Sequence, residues 1–291
     1  MKEKKKKILV TGSTGFLGKY VVLELLRRSG ISVIATSRNR KKATNADWHK
    51  DVTYISYDLA KNDIQNLSYH FGIPDSLIHL AWDYLPNYND IRHIERCLIE
   101  NITFLKKLFE QGLKDLTVIG TCQEYGMQNG CMRENAHSEP RTAYAIAKDA
   151  LRKYLEKAAE EYDFNFKWIR LFYVWGKGQR STSLISQLEK ALANKMTTFN
   201  MSMGEQLRDF IPVEDAASHI ADIALQQVVR GIINCCSGSP KSVKTFVEEY
   251  LKANGQKINL NLGHFSYPKY EPMAFWGDRE KLERLKKIKG G

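Results

Sequence analysis

Residues 6–28, KKILVTGSTGFLGKYVVLELLRR, join an apolar strand-like run to a helical pattern through a glycine-rich turn. Apolar residues recur after the turn with helical spacing, which predicts a helix with one buried face. Gly12, Gly15 and Gly18 stand between the two segments. Glycines there permit a tight turn and let the backbone approach a pyrophosphate, whose charge the helix N-terminus stabilises. The stretch therefore predicts a dinucleotide-binding βα unit, with a glycine turn that binds no ligand as the alternative.

Strand-like and helical patterns alternate along most of the chain. The apolar runs ISVIATS, DVTYISY, SLIHLAW and LTVIGT are separated by segments with helical spacing. This alternation predicts an α/β fold, a doubly wound parallel sheet of Rossmann type. It loosens from about residue 173, so we predict a dinucleotide-binding domain over residues 1–172 and mainly a small C-terminal substrate-binding lobe over residues 173–291, with segments that return to the first domain.

The composition predicts a globular protein of the cytoplasm. The apolar runs are shorter than the ~20 residues that span a bilayer, and no apolar signal core begins the chain, so no membrane partner is expected. Five cysteines without paired spacing predict reduced thiols and no metal site. Much of the net charge of +11 lies in MKEKKKK and REKLERLKKIKGG, which we interpret as solvated, frayed ends. No nucleic-acid-binding module accompanies this charge, so we expect no nucleic-acid partner.

The second predicted strand ends in ATSRNRKK, residues 35–42. An NAD site usually has an acidic residue here for the ribose hydroxyls, whereas this chain has Ser37, Arg38 and Arg40. A hydroxyl and a guanidinium suit a 2′-phosphate, because arginine forms charge-assisted bidentate bonds with phosphate oxygens. We therefore predict NADP(H) as the cofactor, with NAD(H) as the alternative. A solvated basic loop without a ligand is the other interpretation.

The segment TAYAIAK places Tyr144 and Lys148 one helical turn apart, on the same face of a predicted helix. A nearby ammonium favours phenolate, so we expect Lys148 to lower the pKa of Tyr144. This spacing is common by itself. It gains weight because the preceding strand ends at Thr121, and a hydroxyl, a tyrosine and a lysine together can hold and protonate a reacting oxygen.

The motifs TGSTGFLG, TCQEYG, YAIAK, IRLFYVWGKGQ and LRDFIPVED occur in this order over nearly the whole chain. Their order and spacing resemble the extended short-chain dehydrogenase/reductases of the nucleotide-sugar epimerase/dehydratase group, closest in character to the 4-ketoreductases of nucleoside-diphosphate 6-deoxyhexoses. The resemblance implies that Thr121, Tyr144 and Lys148 are catalytic and that His79 is structural or near the ribose. The residues that it assigns to the cofactor are Gly12, Thr14, Gly15, Phe16, Leu17, Gly18, Ser37, Arg38, Asp58, Leu59, Leu80, Ala81, Trp82, Asn101, Tyr144 and Lys148.

The same resemblance implies a nucleoside-diphosphate sugar as substrate. Arg208 is expected to bind the diphosphate, with a surface ion pair between Arg208 and Asp209 as the alternative. The 4,6-dehydratases of the group have an Asp and a Glu where this chain has Cys122 and Gln123, so we do not expect dehydration. The residues expected to contact the substrate are Thr121, Cys122, Gln123, Tyr173 and Arg208.

Two further departures narrow the expected reaction. The cysteine and histidine of GDP-fucose synthase-like epimerases have no counterparts in register, and Tyr173 replaces a usual asparagine. The tail YPKYEPMAFWGDREKLERL resembles the segment that closes some 4-ketoreductases. We therefore expect NADPH-dependent reduction of the C4 ketone of a nucleoside-diphosphate 4-keto-6-deoxyhexose, with dTDP as the favoured nucleotide. An NAD-dependent nucleotide-sugar 4-epimerase and a non-catalytic nucleotide sensor remain as alternatives, and the resemblance favours a homodimer.

Overall fold

The computed structural model describes residues 5–290, with the backbone alone for residue 286 and residues 288–290. The strands of this part of the chain are β1 (Lys6–Thr11), β2 (Ile31–Ser37), β3 (Thr53–Ser56), β4 (Ser76–His79), β5 (Asp115–Ile119), β6 (Gly130–Met132), β7 (Asn165–Leu171), β8 (Tyr173–Trp175), β9 (Thr198–Asn200), β10 (Leu207–Arg208), β11 (Phe210–Pro212), β12 (Gly231–Cys235), β13 (Lys241–Ser242), β14 (Asn259–Asn261) and β15 (Ala274–Gly277). The α-helices are α1 (Phe16–Leu26), α2 (Arg40–Thr44), α3 (Leu67–His70), α4 (Ile99–Glu110), α5 (Ala143–Tyr162), α6 (Leu184–Ala193), α7 (Val213–Leu225), α8 (Val243–Ala253) and α9 (Glu280–Gly290). A π-helical segment, His93–Leu98, leads into α4, and single 3-10 turns cover His49–Asp51 and Cys122–Tyr125.

Seven strands form a parallel sheet in the order β12-β7-β5-β4-β1-β2-β3. Helices α1 and α7 cover one face of the sheet, and α4 and α5 cover the other, because the strands are apolar on both sides. This arrangement confirms the predicted doubly wound α/β fold. The strand order reverses between β1 and β4, and in such sheets ligands bind in the crevice at the carboxyl ends of the strands at this point.

The residues after 172 divide between a small lobe and the main sheet. Helices α6 and α8 share a separate apolar cluster with β9. Strands β13, β10, β15 and β6 form a second, four-stranded sheet, and the pairs β11-β8 and β14-β9 stand apart from it. Two later elements belong to the main layer instead, since β12 extends the large sheet beside β7 and α7 packs against α1. The lobe is thus attached to the first domain through shared structure.

Strand β6 connects the two parts of the molecule and carries an exposed cysteine. Cys131 lies opposite Trp276 of β15 in the parallel register of these strands. The remaining four cysteines are buried, and all five thiols are unpaired.

The lysine-rich C-terminal end is not frayed, which corrects the sequence interpretation. Its residues form α9, and Leu282 and Leu285 are buried in the core between α1, α7 and the sheet. At the other end, residues 1–4 lie outside the described residues. Lys6 begins β1, and its ammonium lies 3.1 Å from a carboxylate oxygen of Asp115. Within the described residues, no helix has the length and apolar character needed to cross a bilayer.

Candidate active site

The turn between β1 and α1 packs its backbone directly against neighbouring backbone. Gly12 has φ of +66°, and a Cβ there would lie 2.9 Å from the backbone nitrogen of Ala81. A Cβ on Gly18 would lie 2.2 Å from the carbonyl oxygen of Gly12, so the helix packs directly on the turn. Helix α1 begins at Phe16, after the N-cap residue Gly15, with no side-chain cap and no acidic residue in its first turn. Its first amide groups therefore suit a phosphate, and the site fits the pyrophosphate of a dinucleotide.

A groove of about 380 Å³ runs along the carboxyl ends of the central strands from this turn. It reaches the ends of β2 and β4 and the loop after β3. Phe16, Leu17, Gly18, Tyr144 and Lys148, which were also predicted to contact the cofactor, do not line it. The predicted cofactor residues that do line it are Gly12, Thr14, Gly15, Ser37, Arg38, Asp58, Leu59, Leu80, Ala81, Trp82 and Asn101.

Four charged residues that the sequence interpretation did not assign also line the groove. They are Lys42, Asp83, Glu100 and Arg180, whereas Arg40 does not line it. A guanidinium nitrogen of Arg38 lies 2.6 Å from a carboxylate oxygen of Asp83, and both residues line the groove. Lys42 follows Arg38 by four residues, and this spacing could have identified it as a residue of the groove. No feature of the sequence near Asp83 predicts its pairing with Arg38.

His79, at the end of β4, is part of the floor beneath the groove. Its Nδ1 lies 2.9 Å from the hydroxyl of Thr11, and its Nε2 lies 2.5 Å from the side-chain oxygen of Asn101. The Asn101 amide group donates in turn to the carbonyl oxygen of Cys97. Complete burial lowers the pKa of His79 to about 3, so the ring is neutral. These contacts indicate a structural role for His79, and they fix the Asn101 side chain from the side opposite the groove.

The predicted catalytic residues come together beside β5, in a buried environment. Thr121, Tyr144 and Lys148 are 7%, 8% and 2% exposed. A hydrogen bond with Thr121 favours ionisation of Tyr144, yet burial is the larger effect and raises the pKa of Tyr144 well above its usual value. Lys148 donates to the carbonyl oxygen of Ile119 at 2.9 Å, and its ammonium lies 3.9 Å from the centre of the Trp82 ring. The expectation that Lys148 lowers the pKa of Tyr144 is therefore wrong for this structure, since desolvation dominates.

Aromatic rings surround Tyr144. The ring centres of Tyr88, His93 and Trp82 lie 5.6, 5.3 and 6.0 Å from that of Tyr144. The backbone N–H of Tyr144 donates to the carbonyl oxygen of Tyr88 at 2.9 Å. His93 is fixed because Trp82 donates to its Nδ1 at 3.0 Å and its Nε2 lies 2.9 Å from the carbonyl oxygen of Asn87. The sequence interpretation missed Tyr88 and His93, which come from the segment before α4.

Arg208 lies in the small lobe, and its partner is not the predicted one. Its guanidinium is 2% exposed, lies 5.4 Å from the centre of the Tyr173 ring and pairs with Glu271 at 2.9 Å. Asp209 instead accepts hydrogen bonds from the backbone N–H groups of Ser237 and of two glycines, at 2.6, 3.0 and 3.2 Å. The alternative of a surface ion pair between Arg208 and Asp209 is therefore wrong. Glu271, in the tail before β15, is the unpredicted member of this group.

The two residues after Thr121 have different surroundings. Cys122 is buried in a small apolar cluster with Phe172 and Phe275, and burial raises the pKa of its thiol well above the usual range. The side-chain oxygen of Gln123 accepts a hydrogen bond from the hydroxyl of Thr142, the residue that caps α5. Cys122 thus stays a neutral thiol beside Thr121, and the Gln123 amide supports the start of the helix that carries Tyr144.

The sequence profile of the NAD dependent epimerase/dehydratase family matches residues 8–236. The chain is 32% identical over 276 residues to a dTDP-6-deoxy-L-talose 4-dehydrogenase (NAD(+)) of Aggregatibacter actinomycetemcomitans, and the match covers 93% of this chain and 98% of that protein. It is 28% identical over 214 residues to a CDP-abequose synthase of Salmonella typhimurium, over 74% of this chain and 68% of that one. Among solved structures, a UDP-N-acetylglucosamine 4-epimerase from Methanobrevibacter ruminantium M1, in complex with UDP-N-acetylmuramic acid, shares the fold with a TM-score of 0.84 at 22% identity, over 97% of this chain and 92% of that one.

Proposed function

Because the chain belongs to the NAD dependent epimerase/dehydratase family, and is thus an NAD(P)-dependent enzyme that modifies nucleotide sugars, we propose that it reduces the C4 ketone of a nucleoside-diphosphate 4-keto-6-deoxyhexose with NADPH. The relative that acts as a 4-dehydrogenase on a dTDP-6-deoxyhexose supports the position of the reaction. Removal of hydrogen at C4 and reduction of the C4 ketone are the same step in opposite directions. Because this relative acts on a dTDP sugar, dTDP is the nucleotide that we propose for the substrate.

The groove residues would hold the cofactor. The amide groups at the start of α1, with Gly12 and Gly15, would bind the pyrophosphate. Ser37, Arg38 and Lys42 would surround a 2′-phosphate, which supports NADPH, since β2 ends without a carboxylate. When bound, the reduced nicotinamide supplies the hydride that the C4 carbon accepts.

The chain itself supplies the proton and the orientation of the ketone. Burial keeps Tyr144 protonated, so its hydroxyl can deliver a proton to the carbonyl oxygen as negative charge develops there. The hydroxyl of Thr121, beside Tyr144, would hold the same oxygen by a hydrogen bond. Lys148, close to both, would bind the ribose of the nicotinamide and stabilise the phenolate left by proton transfer.

The substrate's diphosphate would bind Arg208. In the structure the carboxylate of Glu271 pairs with this guanidinium. A diphosphate would therefore have to displace Glu271 from Arg208. Tyr173, whose ring lies beside Arg208, would contact the sugar between the diphosphate and Thr121. The tail that carries Glu271 would then have to move when the substrate enters.

The observation that carries the proposal is the buried Tyr144 beside the Thr121 hydroxyl, with no carboxylate at the two positions that follow Thr121. Cys122 is a neutral thiol, and Gln123 cannot exchange a proton near neutral pH. This set can transfer one proton, as reduction requires. The test is NADPH consumption by the purified protein with a panel of 4-keto-6-deoxyhexose nucleotides. Oxidation of NADPH with formation of the C4 alcohol is expected, and no oxidation with any member of the panel would overturn the proposal.

Replacement of Tyr144 by Phe tests the assigned acid. The variant keeps the ring contacts with Tyr88 and His93 but loses the hydroxyl that delivers the proton. We expect kcat to fall by about 100-fold or more, while the Kd for NADPH stays unchanged. Steady-state kinetics and fluorescence titration with NADPH would measure the two quantities. Full turnover by Tyr144→Phe would exclude this mechanism.

A second candidate is an NAD-dependent nucleotide-sugar 4-epimerase. The observation that favours it is the ion pair between Arg38 and Asp83, which places a carboxylate at the groove mouth and engages the guanidinium that would bind a 2′-phosphate. Such an enzyme oxidises and re-reduces the sugar with no net consumption of cofactor. Absorbance of tightly held NAD in the purified protein, with interconversion of two C4 epimers, would support it over the reductase.

A further inference from the structure

Glu124 is a buried carboxylate to which the proposed reaction gives no part. Its side chain is 0% exposed, and it lies three residues after Thr121. A carboxylate taken out of water is costly unless it is paired and fully hydrogen-bonded. Its partners therefore show what this charge holds together.

The Glu124 carboxylate joins the Thr121 backbone to β7. Its Oε1 accepts hydrogen bonds from the backbone N–H of Thr121 and from the Trp168 ring nitrogen, both at 2.9 Å. Its Oε2 accepts from Nε of Arg170 at 2.8 Å. Arg152, on the helix that carries Tyr144 and Lys148, has its Nε 3.8 Å from the same oxygen. One side chain thus connects the catalytic threonine, β7 and α5.

The segment that ends at Thr121 has no room to shift against this carboxylate. A Cβ on Gly120 would lie 2.2 Å from the Trp168 ring nitrogen and 2.6 Å from Oε1 of Glu124. On the other side, Lys148 donates to the carbonyl oxygen of Ile119. Residues 119–121 are therefore held between α5 and the Glu124 network.

We propose that Glu124 is a positioning residue of this active site, which fixes the Thr121 hydroxyl toward the reacting oxygen through its hydrogen bond to the Thr121 amide. The inference rests on the proposed C4 reduction, because the value of a fixed hydroxyl lies in holding that oxygen. A displacement of about 1 Å at a reacting group is enough to slow an enzyme by about 100-fold.

The charge of Glu124 also acts on the catalytic pair. The charged groups that face it are Arg170 from β7 and Arg152 from α5, with Tyr144 and Lys148 of α5 within electrostatic reach. Burial is the larger effect at both residues. The negative charge of Glu124 adds to the burial that raises the pKa of Tyr144 and opposes the burial that lowers the pKa of Lys148. Loss of this charge lowers both pKa values, so Lys148, whose pKa is about 7, would lose its proton at a lower pH and set an earlier alkaline limb.

The test compares Glu124→Gln with Asp115→Asn, a matched control. Asp115 is also a buried carboxylate that pairs with a buried cation of β7, at 2.7 Å from Lys167, but it lies at the opposite end of β5. We expect Glu124→Gln to lower kcat by about 100-fold with little change in the Kd for NADPH, and to move the alkaline limb of the pH–rate profile to lower pH. Asp115→Asn should lose stability but keep kcat and the profile.

If Glu124→Gln does not fold, the double variant Glu124→Met/Arg170→Met removes both charges, leaves no unpaired buried ion and takes away the acceptor of the Thr121 amide, so it carries the same expectation for kcat. Wild-type kcat and pH profile in either variant, or changes equal to those of Asp115→Asn, would overturn the inference. Hydrogen exchange of the peptide that contains Thr121 separates this outcome from a wrong substrate. Exchange should be faster in the Glu124 variants and unchanged in Asp115→Asn, whether or not the wild type reduces any sugar in the panel, and equal exchange in all would also overturn it.

Discussion

At the level of single residues, burial controls the chemistry of the site. Tyr144 and Lys148 are both almost fully buried, and burial raises the pKa of the phenol while it lowers the pKa of the ammonium to about 7. The two pKa shifts have opposite directions, yet both favour the neutral form of the side chain. A neutral phenol is the form that a reductase needs at the start of its step.

Lys148→Met should change how stability depends on pH. An unfolded lysine keeps its proton up to about pH 10.5, whereas folded Lys148 keeps it only up to about 7. Between these values the unfolded chain binds more protons, so the free energy of unfolding of the wild type rises with pH. The methionine variant lacks this contribution and should show a smaller rise over the same window. Denaturant unfolding of both proteins across that window measures it, and equal slopes would contradict the prediction.

The sequence predicted which residues come together at the candidate site better than it predicted their surroundings. Thr121, Tyr144 and Lys148 are adjacent in the fold because a strand end and the following helix are local patterns with fixed spacing. Glu271, by contrast, is 63 residues from Arg208, and no local pattern pairs them. Burial, which reverses the expected pKa shift of Tyr144, is likewise a product of the whole fold.

At the level of elements, the β1–α1 turn depends on one close contact. A Cβ on Gly18 would meet the carbonyl oxygen of Gly12 at 2.2 Å, whereas a Cβ on Gly15 would lie 3.1 Å from it. Alanine normally stabilises a helix by about 1 kcal/mol relative to glycine. A loss of stability in Gly18→Ala would therefore come from the contact with Gly12. Gly18→Ala should lower the free energy of unfolding by about 3 kcal/mol and abolish NADPH binding. Gly15→Ala is the milder control, and equal effects of the two substitutions would show that the contact does not matter.

The tail before β15 is the element that would move if the proposed substrate binds Arg208. Glu271→Gln leaves Arg208 without its carboxylate, so a nucleoside diphosphate no longer competes with it and should bind about 10-fold more tightly. Glu205→Gln is the control, because Glu205 bonds Tyr267 of the same tail at 3.0 Å without touching Arg208. Calorimetric titration with dTDP measures both variants. Unchanged or weaker binding by Glu271→Gln would show that the carboxylate does not compete with the ligand.

At the level of the whole molecule, the two parts of the chain depend on each other. The alternation of strands and helices was enough to predict the doubly wound sheet, because each βα unit is a local pattern. The sequence indicated the return of β12 and α7 to the main sheet only through a less regular alternation of strands and helices. The position of a strand within a sheet depends on long-range contacts, which local patterns do not reveal. Likewise, the sequence predicted a frayed end where α9 forms, because the two core leucines of this helix lie among lysines.

A fragment of residues 1–172 should not fold by itself. Without β12 the edge of β7 is unpaired, and without α7 the apolar side of α1 is exposed to water. An exposed strand edge beside an apolar surface promotes aggregation. We expect the fragment to be insoluble, while the full chain unfolds in one cooperative transition by circular dichroism. A soluble fragment with a cooperative thermal transition would contradict this dependence.

The lone exposed cysteine of the described chain has a practical consequence for single-molecule optics. Cys131 is accessible to a maleimide dye, whereas the other four thiols are buried, so the unmodified chain can be labelled at one position. Its strand neighbour is Trp276, five residues beyond Glu271, in the strand that continues the tail. A dye at Cys131 would lie next to this indole, so its emission would be quenched while β15 stays paired with β6 and would become brighter if movement of the tail separated the two strands.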